Sequence, residues 1–403
     1  MAEQHTSKGA QCVYCNHAPV NHRYEFFNTS VGLFLSDLFS SRRSKRQMPK
    51  FAEIFAIGVL RILGFVLEQL GVLTYSDDIE KACGERTRSI LREAKKRGIP
   101  AQFMRAFGKP LEVCRAYVQP KGYKKPEWFY FDSLPLPPWS ARTSPEWIDD
   151  KRVFNYQFTK AGLPVAQSLV VTTQSGALRA FRTLGAPIIV KPRSGSRARH
   201  TTVNIRTEAE LLLAYKKAKQ LCHYVLVESY IPGDVYRATC IGKKVVGILE
   251  LVKPVVIADG QMTIREIFAY YNSHKKHANL TDVVQDAWFF ESMAHQGFTM
   301  DSVPPAGTRI VLVEHSERHN GGYFVDVTEQ VPPENIALIE RGAALCGVDI
   351  IGFDIISRDL TKPASVEPMT FIEGNTLPFI EIHLTPYEGK VYDTPKAIWD
   401  LWF

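Results

Sequence analysis

The sequence predicts a mixed α/β (α+β) fold of two or three packed lobes, and three observations carry the prediction. A proline- and tryptophan-rich stretch, FDSLPLPPWSARTSPEW (131–147), divides the chain and holds too much proline for regular structure. Beyond it, apolar strand-like runs alternate with helical segments. Before it, a helical stretch followed by strand-like runs reads as a smaller α/β lobe. The 403 residues are enough to bury several cores, and 45% hydrophobic with 23% charged residues is ordinary for a soluble globular chain. No repeat of solenoid length is present.

Residues 1–50 are polar and basic and are expected to form a flexible or loosely docked arm. Residues 1–30 lack the apolar core of a signal peptide, so a cytoplasmic protein is expected. Seven scattered cysteines argue against a secreted disulfide framework. The arm contains CVYCNHAPVNH, with Cys12, Cys15, His17 and His22. These are zinc-ligand types, but a second half-site at the usual spacing is missing, and an unliganded tail is the favoured reading.

Residues 51–78 follow as an expected apolar helix. Within FAEIFAIGVLRILGFVLEQLGVL (51–73), Glu53, Arg61 and Glu68 fall on one side of a helix. Three charges argue against a membrane span, and a helix buried on most sides is favoured over a membrane-surface helix aided by the basic run RRSKRQMPK (42–50). Residues 79–148 make the small lobe and linker. In the remainder, 149–162 is a helix closed by Gly162. PIIVKP and HYVLVESYI are strands. YRATCIG and KVVGILELV form a hairpin about Gly242-Lys243. Residues 332–347 are a helix with proline at its start, and DIIGFDII and FIEGN are strands.

FIEGNTLPFIEIHLTP (371–386) states one motif twice, Phe-Ile-Glu-x-Asn and then Phe-Ile-Glu-x-His. Side chains at i and i+2 share a strand face, so Glu373 and Asn375 present two oxygens to one point, and Asp354 adds a third from a neighbouring strand. Such hard oxygen donors suit magnesium. Glu381 with His383 suits a transition metal better. On the phosphate side, Lys191 ends a strand and precedes PRSGSRARHTT, a loop with Gly195, Ser196 and the arginines Arg193, Arg197 and Arg199. This is a plausible phosphate clamp without being a Walker A loop, and the absence of GxGxxG removes support for a dinucleotide fold. The net charge of +7 suits anionic ligands without choosing among them.

Residues 149–403 resemble the ATP-grasp domain of cyanophycin synthetases and related carboxylate–amine ligases. IIVKP, HYVLVESYIPG, ADGQMTIREI, HQGFTMDSVPPAG, HNGGYFVDVT and VPPENIALIERGAALCGVDIIGFDII follow in the family's order. The family pattern sets its second metal acid nineteen residues after the first, as Glu373 follows Asp354, with Asn375, Pro378, His383 and Glu388-Gly389-Lys390 in register. The resemblance implies an ATP-grasp fold, two α/β lobes gripping ATP, with the lid lobe at about 165–232. It implies ATP with magnesium, two ions, manganese being an alternative, held by Asp354, Glu373 and Asn375. Lys151 and Lys191 would contact the nucleotide, with Gly195, Ser196 and Arg199 in the mobile loop. Glu228 and the backbone of Ser229, Tyr230 and Ile231 would meet adenine, and Arg237 would lie near the phosphates or substrate.

The implied activity is ATP-dependent amide or peptide bond formation through an acylphosphate, on amino-acid or peptide substrates. The rival is a nucleotide-binding protein that has lost catalysis. Several departures bear on it. Ala198 and His200 replace loop glycines. Asp234 comes one place before the ribose-binding position, which Val235 occupies. Leu251 and Glu317 replace an arginine and an asparagine, and Glu381 stands where the family has arginine. Glu381 and His383 are therefore candidate substrate residues, Glu381 favouring a cationic group. An equal alternative has Glu381 paired with an arginine and touching no substrate. The Mur-ligase-like module of full cyanophycin synthetases has no counterpart here, so polymerisation by the two-module route is not expected. Homo-oligomers and recruitment to a membrane or protein through residues 42–73 are compatible with the sequence. Nucleic-acid binding is not favoured, since the basic run lacks interleaved aromatics.

Overall fold

The computed structural model describes residues 12, 15, 20–40, 66–140, 146–194, 199–277, 280–314 and 320–403. The segment 51–65, with Glu53 and Arg61, lies outside them, as do His17, Gly195, Ser196, Arg197, Ala198 and Glu317. Within the expected arm, residues His22–Ser40 form a helix, α1, docked on the lid: Thr29 Oγ1 donates to the Leu221 carbonyl at 2.9 Å, and Ser30 Oγ accepts from the His223 amide at 3.0 Å. The expected helix over 51–78 does not hold at its end. Gly71 (φ 67°) follows a helical turn, and Leu73–Ser76 is a strand, β1, because β-branched and aromatic side chains there favour the pleated chain.

The first lobe is a four-stranded antiparallel sheet. After β1 come helix α2 (Gly84–Lys96) and strands β2 (Ala101–Ala106), β3 (Lys109–Val118) and β4 (Glu127–Asp132), neighbours in that order. Helix α2 buries Ile90, Leu91 and Ala94 on one face. The linker is followed by α3 (Lys151–Lys160), whose N-cap Asp150 accepts from the amides of Arg152 and Val153.

The lid sheet has strands β5 (Ser168–Val171), β6 (Ile188–Pro192), β7 (Thr202–Ile205) and β8 (Val225–Ser229), in the order β5-β8-β6-β7. Helices α4 (Gln174–Leu184) and α5 (Glu208–Ala218) cover it around Leu211, Ala214, Val190 and Val227. Strands β9 (Asp234–Ile241) and β10 (Lys244–Val252) make the expected hairpin, with Gly242 and Lys243 both at positive φ, 59° and 65°, as a two-residue turn between right-twisted strands requires. A small subdomain follows, with β11 (Val255–Ile257), α6 (Ile264–Ser273), α7 (Ala287–His295) and β12 (Arg309–Val311) around its own core of Ile267, Phe289 and Leu312.

The central sheet is completed by β13 (Tyr323–Asp326), β14 (Ile350–Ser357) and β15 (Thr370–Asn375), in the order β13-β10-β9-β14-β15 with antiparallel pairing throughout. Helix α8 (Pro333–Cys346) ends as expected at Gly347 in the left-handed conformation. One face of this sheet carries Tyr236, Ala238, Ile351, Phe353 and Ile355 into a core with Phe154 and Phe158 of α3 and Ile339 and Ala343 of α8. The C-terminal helix α9 (Thr394–Asp400) returns to the first lobe. Trp399 and Trp402 complete its core and donate indole N–H bonds to the carbonyls of Ile90 (3.1 Å) and Pro135 (3.2 Å). All seven cysteines are free thiols. Among the described residues no helix is long and apolar enough to cross a membrane.

Candidate functional site

Side chains alternate across a strand, so the face opposite the core looks into the cleft. There the strand register sets Arg237 of β9, Asp354 of β14 and Glu373 of β15 side by side. A regular β15 would not do this. Phe371 and Glu373, two apart, would share a face, yet Phe371 is in the core. The register shift between Asp354 and Ile355 leaves Ile372 as an extra residue, and this bulge turns Glu373 into the cleft while Phe371 stays buried. Asn375, two further on, shares the face of Glu373, and its side-chain amide lies 3.4 Å from Glu373 Oε1.

The electrostatics differ at the two acids. Burial holds the Asp354 carboxyl above the usual range, against the pull of Arg237, whose Nη2 donates to Oδ2 at 3.0 Å and whose Nε lies 2.6 Å from Oδ1. Burial acts the same way on Glu373. There the cations Lys151, Lys191 and Arg237 and the Asn375 contact outweigh it, and the carboxyl is held well below its usual range. Lys151 Nζ, at the start of α3, is 3.5 Å from Glu373 Oε2. The structure thus brings the candidates Asp354, Glu373, Asn375, Arg237 and Lys151 together. The donors are all oxygens and Glu373 is held ionised, which fits magnesium.

On the lid side, Lys191 and Glu228 form a buried pair at 2.5 Å, and Asn155 Nδ2 donates to Glu228 Oε1 at 3.2 Å. Beside them lies a hollow lined by Ile189, Glu228, Ser229 and Ile231 from the lid and by Ile356, Phe371 and Ile372 from the central sheet. Apolar walls on two sides and polar groups at one end suit a flat heterocycle. The amide hydrogens of Ser229 and Tyr230 are engaged within the lid, by the carbonyls of Gln167 and Pro187.

Two expectations are corrected. Arg193 is fully buried and holds Asp150, the α3 cap, through guanidinium Nε and Nη2 at 3.1 and 2.6 Å, so it braces the lid against α3. Asp234, the displaced ribose acid, occupies the strand position facing away from Arg237 and pairs with Lys253 at 3.2 Å. Val235 takes the cleft-facing position, in register with Leu251 and Ile356.

The phosphate-side cavity, about 240 Å³, is lined by Lys151, Ser194, Arg199, Glu373 and Asn375, and by Glu25 of α1. Arg199, a candidate from the sequence, is thus part of this cavity wall. The second copy of the motif is not a strand. Ile380–Leu384 is a 3-10 turn laid across the central sheet. It fits because Gly247 and Gly352 lack side chains: a Cβ on Gly247 would lie 2.6 Å from His383 Nδ1, and one on Gly352 2.8 Å from Pro378 Cβ. His383 is fully buried, with Nε2 2.7 Å from Thr239 Oγ1. Glu381 shares the same turn. The sequence reading missed Asn155, Ile356, Ile372 and Glu25. Only the apolar character of the two isoleucines gave any local signal.

A lid sheet closing over the cleft face of a larger antiparallel sheet, with acids on one and a lysine on the other, defines the ATP-grasp fold. The chain is similar to cyanophycin synthetase from Trichormus variabilis, 28% identical over 334 residues, covering 80% of this chain and 35% of that protein. It is likewise similar to the glutathione biosynthesis bifunctional protein of Mannheimia succiniciproducens, 29% identical over 263 residues, covering 61% of this chain and 34% of that protein. The chain thus spans about a third of the length of the curated relatives it matches. Among solved structures, a bifunctional glutathione synthetase from Pasteurella multocida superposes with a TM-score of 0.53 at 22% identity, covering 79% of this chain and 43% of that one. No protein-family model matches the chain.

Proposed function

We propose that this protein is an ATP- and magnesium-dependent carboxylate–amine ligase that joins an amino acid or peptide to an amine, releasing ADP and phosphate. The observation that carries the reading is the row Arg237–Asp354–Glu373 facing the cleft beside Lys151, with Lys191 and an apolar hollow on the lid side. A substrate carboxylate oxygen attacks the terminal phosphorus of ATP and ADP leaves. The amine nitrogen then attacks the acyl carbon, the phosphate departs with the carboxylate oxygen that had attacked it while the carbonyl oxygen stays in the amide, and the nitrogen loses a proton. Magnesium, held by Asp354, Glu373 and Asn375, would supply charge neutralisation at the phosphates.

The chain's own groups act mainly by positioning and charge. Ile189, Ile356 and Ile372 take the base. Lys151 and Arg199 face the phosphates and offset their charge. Arg237 releases one carboxylate oxygen of Asp354 to engage an incoming anion. The apolar pair Val235 and Leu251 leaves the ribose edge without the family's polar contacts. ADP-forming turnover in the cytoplasm, on soluble small molecules or peptides, is the corresponding setting.

The test is phosphate release from Mg-ATP with a panel of amino acids and short peptides, and mass spectrometry of each positive. A product lighter by one water than its two precursors is expected. Glu373→Ala is expected to abolish magnesium-dependent turnover and Glu381→Ala to retain it. The reverse pattern refutes the metal assignment. ATP binding with no turnover on any acid–amine pair favours a nucleotide-binding protein without catalysis.

A further inference from the structure

The unassigned feature with the strongest chemistry lies outside the cleft. The sequence of the arm shows half a zinc site, and the structure supplies a missing ligand from a residue 185 positions beyond Cys15. Cys12 and Cys15 sit in a tight turn, the Cys15 amide donating to the Cys12 carbonyl at 3.1 Å. His22 opens α1, and His200 lies on the loop between β6 and β7, the loop that carries Ser194 and Arg199 into the phosphate-side cavity.

The four ligand atoms all lie within 4.8 Å of one another. Cys12 Sγ and Cys15 Sγ are 3.6 and 3.5 Å from His200 Nε2, and Cys15 Sγ is 3.0 Å from His22 Nε2. With zinc–sulfur and zinc–nitrogen bonds of about 2.3 and 2.0 Å, tetrahedral angles set sulfur and nitrogen about 3.5 Å apart. Two separations meet that value, and the third needs to open by about half an ångström. The imidazoles of His22 and His200 are edge to face at 4.9 Å, so both can aim a nitrogen at one point without stacking. His200 Nδ1 is 2.8 Å from the Lys217 carbonyl. That bond fixes the proton on Nδ1 and leaves the Nε2 lone pair directed at the sulfurs, the usual support of a metal-bound histidine.

We propose that Cys12, Cys15, His22 and His200 form a structural zinc(II) site that fastens the N-terminal arm to the lid loop. Two thiolates and two imidazoles in a tetrahedron select zinc over the hard cations expected in the cleft. Four protein ligands leave no open position, so the ion holds structure and does no chemistry. The site continues the docking of α1 through Thr29 and Ser30, and it fixes the loop from which Arg199 enters the cavity. It is independent of the ligase reading.

The test uses the full chain, purified without chelator, with metal content measured by plasma mass spectrometry. About one zinc per chain is expected in the parent protein and in Cys83→Ser, whose thiol donates to the Pro110 carbonyl in the first lobe and is not one of the four clustered groups. Cys12→Ser/Cys15→Ser and, separately, His200→Gly are expected to fall to background. Glycine suits the backbone there because His200 has positive φ, 54°. Replacing zinc with cobalt(II) in the parent is expected to give intense visible bands and a thiolate charge-transfer band, both absent from the double variant. Background zinc in the parent together with no cobalt bands overturns the proposal. So does full zinc content in either the double variant or His200→Gly.

Discussion

The buried imidazole of His383 gives a stability test that needs no substrate. Burial, with a smaller contribution from Arg237, lowers its pKa from 6.5 to about 3. The folded protein therefore keeps His383 neutral where an unfolded chain protonates it. The unfolded state binds the extra proton, so the stabilisation is present above pH 6.5 and is lost as pH falls toward 3. At 1.36 kcal/mol per unit, the drop from pH 7 to pH 5 contributes about 2 kcal/mol of lost stability. Other titrating groups add their own slopes, so the measurement is a difference. Urea denaturation of the parent and of His383→Gln is compared at both pH values. Glutamine is neutral throughout and can keep a hydrogen bond to Thr239. The parent is expected to lose about 2 kcal/mol more than the variant between pH 7 and pH 5. Equal losses would refute the reasoning and place His383 in contact with water.

Two further outcomes follow from the packing. Lys191→Met leaves the Glu228 carboxylate buried without its lysine and is expected to destabilise by about 3–5 kcal/mol in denaturant titrations. Lys191→Met/Glu228→Gln should recover much of that loss, and a double variant no more stable than the single would count against the pair. Gly247→Ala places a methyl group against His383 and is expected to cost about 1–3 kcal/mol, read as a lowered urea midpoint. An unchanged midpoint would mean that the turn carrying His383 does not lie on the sheet as described.

The sequence by itself determined the local elements. Gly242-Lys243 set the β9–β10 hairpin, and Gly347 set the end of α8, because turn and cap conformations depend on a few adjacent residues. Apolar runs marked β6, β8 and β14 as strands, and the spacing of Asp354 and Glu373 was visible at once. The family register already singles out the first copy of the duplicated motif, and only the tertiary structure shows how the two copies come to differ. A bulge at Ile372 turns Glu373 out, and bare glycines at 247 and 352 let the second copy lie down as a turn that buries His383. The same holds for Asp234 and Arg193, whose partners Lys253 and Asp150 were not predictable from neighbouring residues. It holds for Trp399 and Trp402, which close a core built from residues about 300 positions earlier. It holds also for His200, which meets Cys12 and Cys15 across nearly half the chain. Short-range propensity fixes a residue's conformation, whereas its partner is fixed by which surfaces pack together, and a linear spacing rule carries no record of that choice.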